Sequence, residues 1–241
     1  MTKDSHLQSI ETYYRKCENA YRDAWGMDHN KQLNLGLWEN GANSLTKALI
    51  QLNKSIAELA EVTIESSILD AGCGVGGTAI FMAKNYKANV KGITISPEQL
   101  AIANKNAINE HLEKLIHFDL GDYNNCPYPN ESFDVIFGIE SICYAEPKID
   151  FLKEAHRLLK KGGRLVLAEN LQGKKFLNEK ERKILYDYGF NGCNVISLDT
   201  KEEYLNNLKE EDFKEAICID KSKEVRPSIR RLRRFYYAAW T

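Results

Sequence analysis

Between residues 66 and 170 the chain alternates short apolar runs with longer amphipathic stretches. The apolar runs predict strands at Ser67 to Ala71, Asn89 to Ile95, Leu115 to Asp119, Phe133 to Ile139 and Arg164 to Glu169. The stretches between them predict helices at Gly77 to Asn85, Pro97 to Glu110 and Pro147 to Lys160. The last is closed by Lys161-Gly162-Gly163, cations followed by glycine, which is how helices commonly end. Strands separated by helices of roughly ten to fifteen residues imply βαβ units. The expected class is therefore α/β, a doubly wound and mostly parallel sheet with helices on both faces.

Ahead of this region, Ser5 to Trp25 and Asn43 to Val62 read as helices. The second repeats apolar residues at Leu45, Leu49, Leu52, Ile56, Leu59 and Ala60, close to a 3.6-residue period, and reads as a core-facing helix. Beyond Glu169 the pattern weakens. It predicts helices around Asn178 to Tyr188 and Thr200 to Lys209, a strand at Phe213 to Asp220, and a basic helix from Pro227 onward. With only 5 prolines and no repeat, no linker divides the chain. We expect an N-terminal helical cap over 1–62 and one sheet-bearing unit over 63–241.

Composition narrows the partners. The 241 residues carry Lys+Arg 33 against Asp+Glu 34, a net charge of -1, so nothing global calls for nucleic acid. Hydrophobic residues at 43% and charged residues at 28% describe an ordinary globular protein. The polar start Met1-Thr2-Lys3-Asp4-Ser5-His6 has no apolar segment behind it, and no uncharged run long enough to span a membrane occurs. The six cysteines form no CxxC pair, which argues against a zinc site or a disulfide framework. The expectation is a soluble, reduced, cytoplasmic protein.

The segment richest in chemistry is Asp70-Ala71-Gly72-Cys73-Gly74-Val75-Gly76-Gly77, a strand running into a glycine turn that opens a helix. Such a turn lets a ligand approach the main chain and offers free N–H groups. Gly72, Gly74 and Gly77 match the dinucleotide pattern GxGxxG. A dinucleotide site wants an acid at the end of the next strand, and that strand ends Ile93-Thr94-Ile95-Ser96 without one. A nicotinamide-dependent oxidoreductase is thereby disfavoured.

The segment from Asp70 to Gly77 resembles motif I of the class I S-adenosylmethionine-dependent methyltransferases. Gly92 to Gln99 resembles the second motif of the branch containing sterol, tocopherol and natural-product methyltransferases, in which a threonine such as Thr94 replaces the usual acid. Leu120-Gly121-Asp122-Tyr123, Ser132 to Ile136, Phe151 to Leu165 and Leu35-Gly36-Leu37-Trp38 are similar to further elements of that branch. The resemblance implies a Rossmann-like methyltransferase fold with a C-terminal helical lid region, a small-molecule acceptor at carbon, oxygen or nitrogen, and S-adenosylhomocysteine as product. It places Asp70, Gly72 and Gly74 around the methionine portion of the cofactor and Thr94 and Gln99 near its ribose. Asp122 and Tyr123 would meet the adenine, with Cys73, Ile95, Gly121 and Glu140 completing the cofactor site. A solvated turn residue is the other reading of Asp122.

Glu140 follows four apolar residues at the end of a strand expected to be buried, so its charge needs a partner or a task. We expect it to be catalytic together with Tyr144, which stands where the resembling branch often has histidine. Capping a helix or pairing with a cation is the alternative. Tyr14, Tyr21 and Trp38 are candidate lid residues, though aromatic side chains mostly pack. Arg226, Arg230, Arg231, Arg233 and Arg234 read as a solvated helix face or as a site for a phosphate-bearing or membrane-surface substrate. A non-catalytic cofactor-binding module remains open, because methyl transfer demands few dedicated side chains. The resembling family closes its sheet with a seventh, antiparallel strand. With the sixth placed at Phe213 to Asp220, nothing is left to form it, and the expectation is a shortened chain whose terminal aromatics, Phe235 to Trp240, lack cover.

Overall fold

A computed structural model describes residues 3–190 and 193–238. Five strands form one sheet: β1 (Ser67–Ala71), β2 (Asn89–Thr94), β3 (Ile116–Leu120), β4 (Phe133–Ile139) and β5 (Leu159–Ala168). Every pairing is parallel and the order is β3-β2-β1-β4-β5. The chain builds outward from β1 to β3 and then returns to the other side of β1. The crevice between the carboxyl ends of β1 and β4 is therefore the switch point, where open sheets of this kind bind ligands.

Alternate residues of the central strands face opposite cores. Ile68, Val90, Val135 and Phe137 pack with Ile56 of α3 (Leu45–Leu59), Met82 of α4 (Gly77–Tyr86) and Ala103 of α5 (Pro97–Asn109). Leu69, Ile93 and Ile136 pack with Phe151, Leu152 and Ala155 of α6 (Lys148–Leu158). Full burial of each such aliphatic or aromatic side chain stabilises by about 1.5–3 kcal/mol. Ser44 caps α3 and Ser96 caps α5, where Pro97 supplies a first helical residue that lacks a donor to satisfy.

The N-terminal part contributes α1 (Lys3–Trp25) and the single turn α2 (Met27–Asn30). Residues 31–38 then run as a strap across the start of α4, with Lys31 O and the Gln32 side chain lying against Gly77. The strap is tied at several points. Leu37 N donates to Ala48 O at 2.8 Å, and Trp38 Nε1 donates to Ser228 Oγ at 2.7 Å. Ser228, fully buried on α9 (Ser222–Ala238), donates in turn to Leu35 O. Among the described residues no helix is long and apolar enough to cross a membrane.

Several expectations need correction. Strand β5 starts at Leu159, immediately after α6, and not at Arg164. Its polar first half pairs with the start of β4 across an irregularity between Phe133 and Val135. Residues 213–220 form no strand: Ile217 is 73% exposed and has no neighbouring strand to pair with, so its apolar run is only a loop. Helix α9 begins at Ser222, with Pro227 inside it rather than at its start. The helix expected at Asn178 to Tyr188 is α7 (Glu179–Arg182) widened into π-type turns over Lys183–Phe190. Helix α8 (Lys201–Glu210) lies where expected. On the β5 side the sheet ends at β5 among the described residues. The expectation about the terminal aromatics falls outside the described side chains.

Candidate active site

At the end of β1 the chain enters the glycine turn. The N–H groups of Gly72 and Cys73 both donate to Ile93 O at 3.0 Å, which fixes the turn to β2. Gly74 holds φ +54, and a Cβ built there would meet no protein atom within 4 Å, so its face opens onto space. Gly72 differs: at φ +85, a Cβ would lie 2.5 Å from Cβ of Ser141. The first glycine admits a neighbouring loop and the second leaves room for a ligand.

Asp70 is 4% exposed, and its Oδ2 has no hydrogen-bond partner. Burial pushes its carboxyl up to about 8, against the opposing pull of the Ala79 N–H. Two further buried acceptors without partners lie on the strap, Gln32 Oε1 and Asn34 Oδ1. Their isolation is costly unless a donor arrives. Together with the open face of Gly74, these oxygens fit a cofactor with a donor-bearing polar end, as S-adenosylmethionine has in its α-ammonium group. Sequence reasoning missed Gln32 and Asn34, because the apolar alternation around Leu33 gives no sign that the segment crosses the glycine turn.

After β2, Thr94 Oγ1 donates to Gln99 Oε1 at 3.1 Å and accepts from Ser96 N at 3.3 Å, so both expected ribose residues sit on one turn, with Ile95 between. After β3, Gly121 N donates to Thr94 O at 2.9 Å. Asp122 Oδ1 accepts from Asn124 N at 2.8 Å, the local turn contact foreseen as its alternative role. Tyr123 donates its hydroxyl to Ser141 O at 2.8 Å and packs edge-on against Phe151. Burial holds the Tyr123 phenol and the Cys73 thiol well above their usual ranges, so both stay protonated at neutral pH. These residues gather along the carboxyl ends of β1 to β4.

Glu140 stands at the end of β4 with φ +50. Its Oε1 accepts the Leu35 N–H at 2.8 Å, tying the strap to the sheet. Burial lifts its carboxyl to about 8, opposed by that N–H and helped by the nearby charge of Glu169. Tyr144 follows on a short 3-10 turn (Ile142–Tyr144), and Tyr14 of α1 donates to its hydroxyl at 3.3 Å. Tyr14 also lies 6.3 Å from the Tyr21 ring, stacked, and burial above all holds the Tyr21 phenol above its usual range. Tyr144, Tyr14 and Tyr21 are thus brought together. Trp38 turns its indole to Ser228 and packs, as Tyr21 and Leu35 do, against the Trp25, Leu45 and Leu49 cluster. A narrow cleft with about 20 Å³ of free space lies between α1 and the cofactor residues, lined by Tyr14, Tyr21, Met27, Leu33, Val75 and Gln99.

The family described as "Methyltransferase domain" matches residues 69–167, from the middle of β1 to the end of β5. The 27-O-demethylrifamycin SV methyltransferase of Amycolatopsis mediterranei (strain S699) is 29% identical over 215 residues, covering 87% of this chain and 76% of that one. The norajmaline N-methyltransferase of Rauvolfia serpentina is 30% identical over 226 residues, with the same coverage of 87% and 76%. Among solved structures, the [4+2]-cyclase SpnF superposes with a TM-score of 0.73 at 25% identity, covering 85% of this chain and 72% of that one. The missing acid after β2, the open glycine turn and these likenesses agree: the chain belongs to the class I S-adenosylmethionine-dependent methyltransferases.

Proposed function

We propose that this chain methylates an oxygen or nitrogen of a small natural-product acceptor held between α1 and the glycine turn. The observation that carries the reading is the buried Glu140 carboxyl at the end of β4, tied to the strap at Leu35 and four residues before Tyr144, whose hydroxyl Tyr14 reaches from α1. One relative is named an N-methyltransferase, and the other a methyltransferase of 27-O-demethylrifamycin SV. Both names fit an acceptor that sheds a proton.

The bound cofactor supplies an electrophilic methyl group on a sulfonium. Asp70, Gln32 and Asn34 would hold its polar end, Thr94 and Gln99 its ribose, and Asp122 its adenine. Glu140 commits Oε1 to the Leu35 N–H, which leaves Oε2 to take the acceptor's proton. A carboxyl raised to about 8 is a stronger base than a free one once it ionises, so the step should quicken as pH rises towards about 8. Burial keeps the Tyr144 phenol well above its ordinary range, so it serves as a neutral hydrogen-bonding group that orients the acceptor rather than as a base. Helix α1 and the strap would close over the acceptor and exclude water, with the rings of Tyr14 and Tyr21 beside it. Six free cysteines suit a reducing compartment such as the cytoplasm, and the balanced charge suits a small acceptor better than nucleic acid.

Calorimetry with S-adenosylhomocysteine, NAD and NADP, followed by labelled methyl transfer to a panel of phenols, macrocyclic alcohols and amines, tests this reading. The expected result is binding of the homocysteine product alone and label on at least one acceptor class. Binding of a nicotinamide dinucleotide in its place would refute it. The likeness to a chain named a cyclase makes a second reading specific: a scaffold that holds the cofactor without spending it. Tight product binding with no label on any acceptor favours that second reading.

A further inference from the structure

Glu169, which sequence reasoning treats only as the end of a strand, stands directly after β5 and makes contacts that strand formation does not require. Its Oε1 accepts from Ser141 N at 3.0 Å and Ile142 N at 2.7 Å, and its Oε2 accepts from Cys143 N at 3.2 Å. One carboxylate therefore collects three successive backbone donors from the turn after β4. That turn is joined to the cofactor residues on its other side. Ser141 Oγ donates to Ala71 O at 2.6 Å, Tyr123 donates to Ser141 O, and the Ser141 side chain fills the space beside Gly72. Glu140 and Tyr144 stand at its two ends.

We propose that Glu169 is a positioning residue for methyl transfer: by clamping the amides of Ser141, Ile142 and Cys143 it fixes Glu140 and Tyr144 against the cofactor turn. This inference rests on the methyltransferase reading above. Three donors on one carboxylate favour its ionised form, while burial opposes it, and the balance leaves the group at about 7. The charged and titratable groups facing it are Glu140 at the end of β4, Tyr123 after β3, Cys143 on the turn, Lys148 on α6 and Tyr204 on α8. Of these groups, Lys148 favours the charge on Glu169. Protonation removes an acceptor and loosens the clamp, so the turn should slacken as pH falls through about 7.

The test uses the full chain and Glu169→Gln, with three readouts: melting temperature at pH 8, affinity for S-adenosylhomocysteine by calorimetry, and hydrogen exchange of the amides of residues 141–143 between pH 6 and 8, corrected for intrinsic rates. The inference expects a melting temperature no lower than the parent's, because a buried charge is removed. It also expects affinity weakened at least fivefold, and turn amides that exchange at least tenfold faster without the parent's loss of protection below pH 7. A lowered melting temperature accompanying the lost affinity makes Glu169 merely structural and overturns the proposal. Unchanged affinity or exchange also overturns it. If the variant does not fold, the parent's exchange profile decides, with protection falling below pH 7 in support and a flat profile against. A parent that fails to bind S-adenosylhomocysteine refutes the methyltransferase reading instead, and the exchange arm still judges the clamp.

Discussion

Asp70→Asn exchanges a buried carboxyl for an amide of nearly the same shape. Burial holds the Asp70 carboxyl at about 8 against a free value of 3.8, and each tenfold change in proton affinity corresponds to about 1.36 kcal/mol. The folded protein therefore keeps a proton that the unfolded chain has released, throughout the window between those two values. Stability contributed by this group is full below pH 3.8, declines as pH rises, and levels off above about 8. At pH 7 the cost is on the order of 4 kcal/mol in the ligand-free protein. The variant should lose one proton's worth of this slope, about 1.4 kcal/mol per pH unit, and should be more stable than the parent at pH 8. Its affinity for S-adenosylhomocysteine should fall roughly ten- to a hundredfold at that pH, since a hydrogen bond to a charged group contributes about 1.5–3 kcal/mol. Urea titrations in half-unit steps from about pH 5 to 9, with calorimetry at pH 8, measure both quantities. An unaltered slope would show that Asp70 does not carry the proton. Unaltered affinity would show that the unpartnered Oδ2 does not face the cofactor.

Two further variants probe the same crevice. Gly74→Val should abolish product binding in calorimetry while the protein still folds, because its side chain enters open space that the ligand needs and φ +54 adds strain; retained binding would move the cofactor off this turn. Glu140→Gln keeps a carbonyl for the Leu35 N–H, so cofactor affinity should stay within a few-fold while methyl transfer falls at least about tenfold, or 1.4 kcal/mol of barrier. Equal turnover of parent and variant on a true acceptor would leave Glu140 with only its role as a tether of the strap.

The central strands were legible because burial on both faces of a parallel sheet requires unbroken apolar runs, and β1 and β4 fall where those runs lie. The start of β5 was hidden, since Lys160 to Arg164 is polar and glycine-bearing and joins the strand only because Leu159 pairs with Phe133 and Arg164 with Val135 across an irregularity. The run from Phe213 to Asp220 has the composition of a strand, but a strand needs a partner, and no strand lies beside it. Within the candidate site, the glycine turn and the Thr94–Gln99 pair were readable because local backbone chemistry dictates them. Gln32, Asn34 and Glu169 were not. Their significance depends on what lies opposite them in space, and a polar residue in a strap or at a strand end looks ordinary in one dimension.

The strap also constrains the order in which the protein can be made. Its anchors on Glu140 and Ser228 lie 105 and 193 positions further along the chain, and His6 of α1 reaches Tyr144 across 138. During synthesis the strap leaves the ribosome first and its partners follow much later, the last of them on the final helix described. Closing loops of this length costs entropy before any contact compensates for it. The sheet from β1 to β5 can assemble from near neighbours, whereas the roof over its crevice must wait for α9. A nascent chain therefore passes through a stage with a finished floor and no roof.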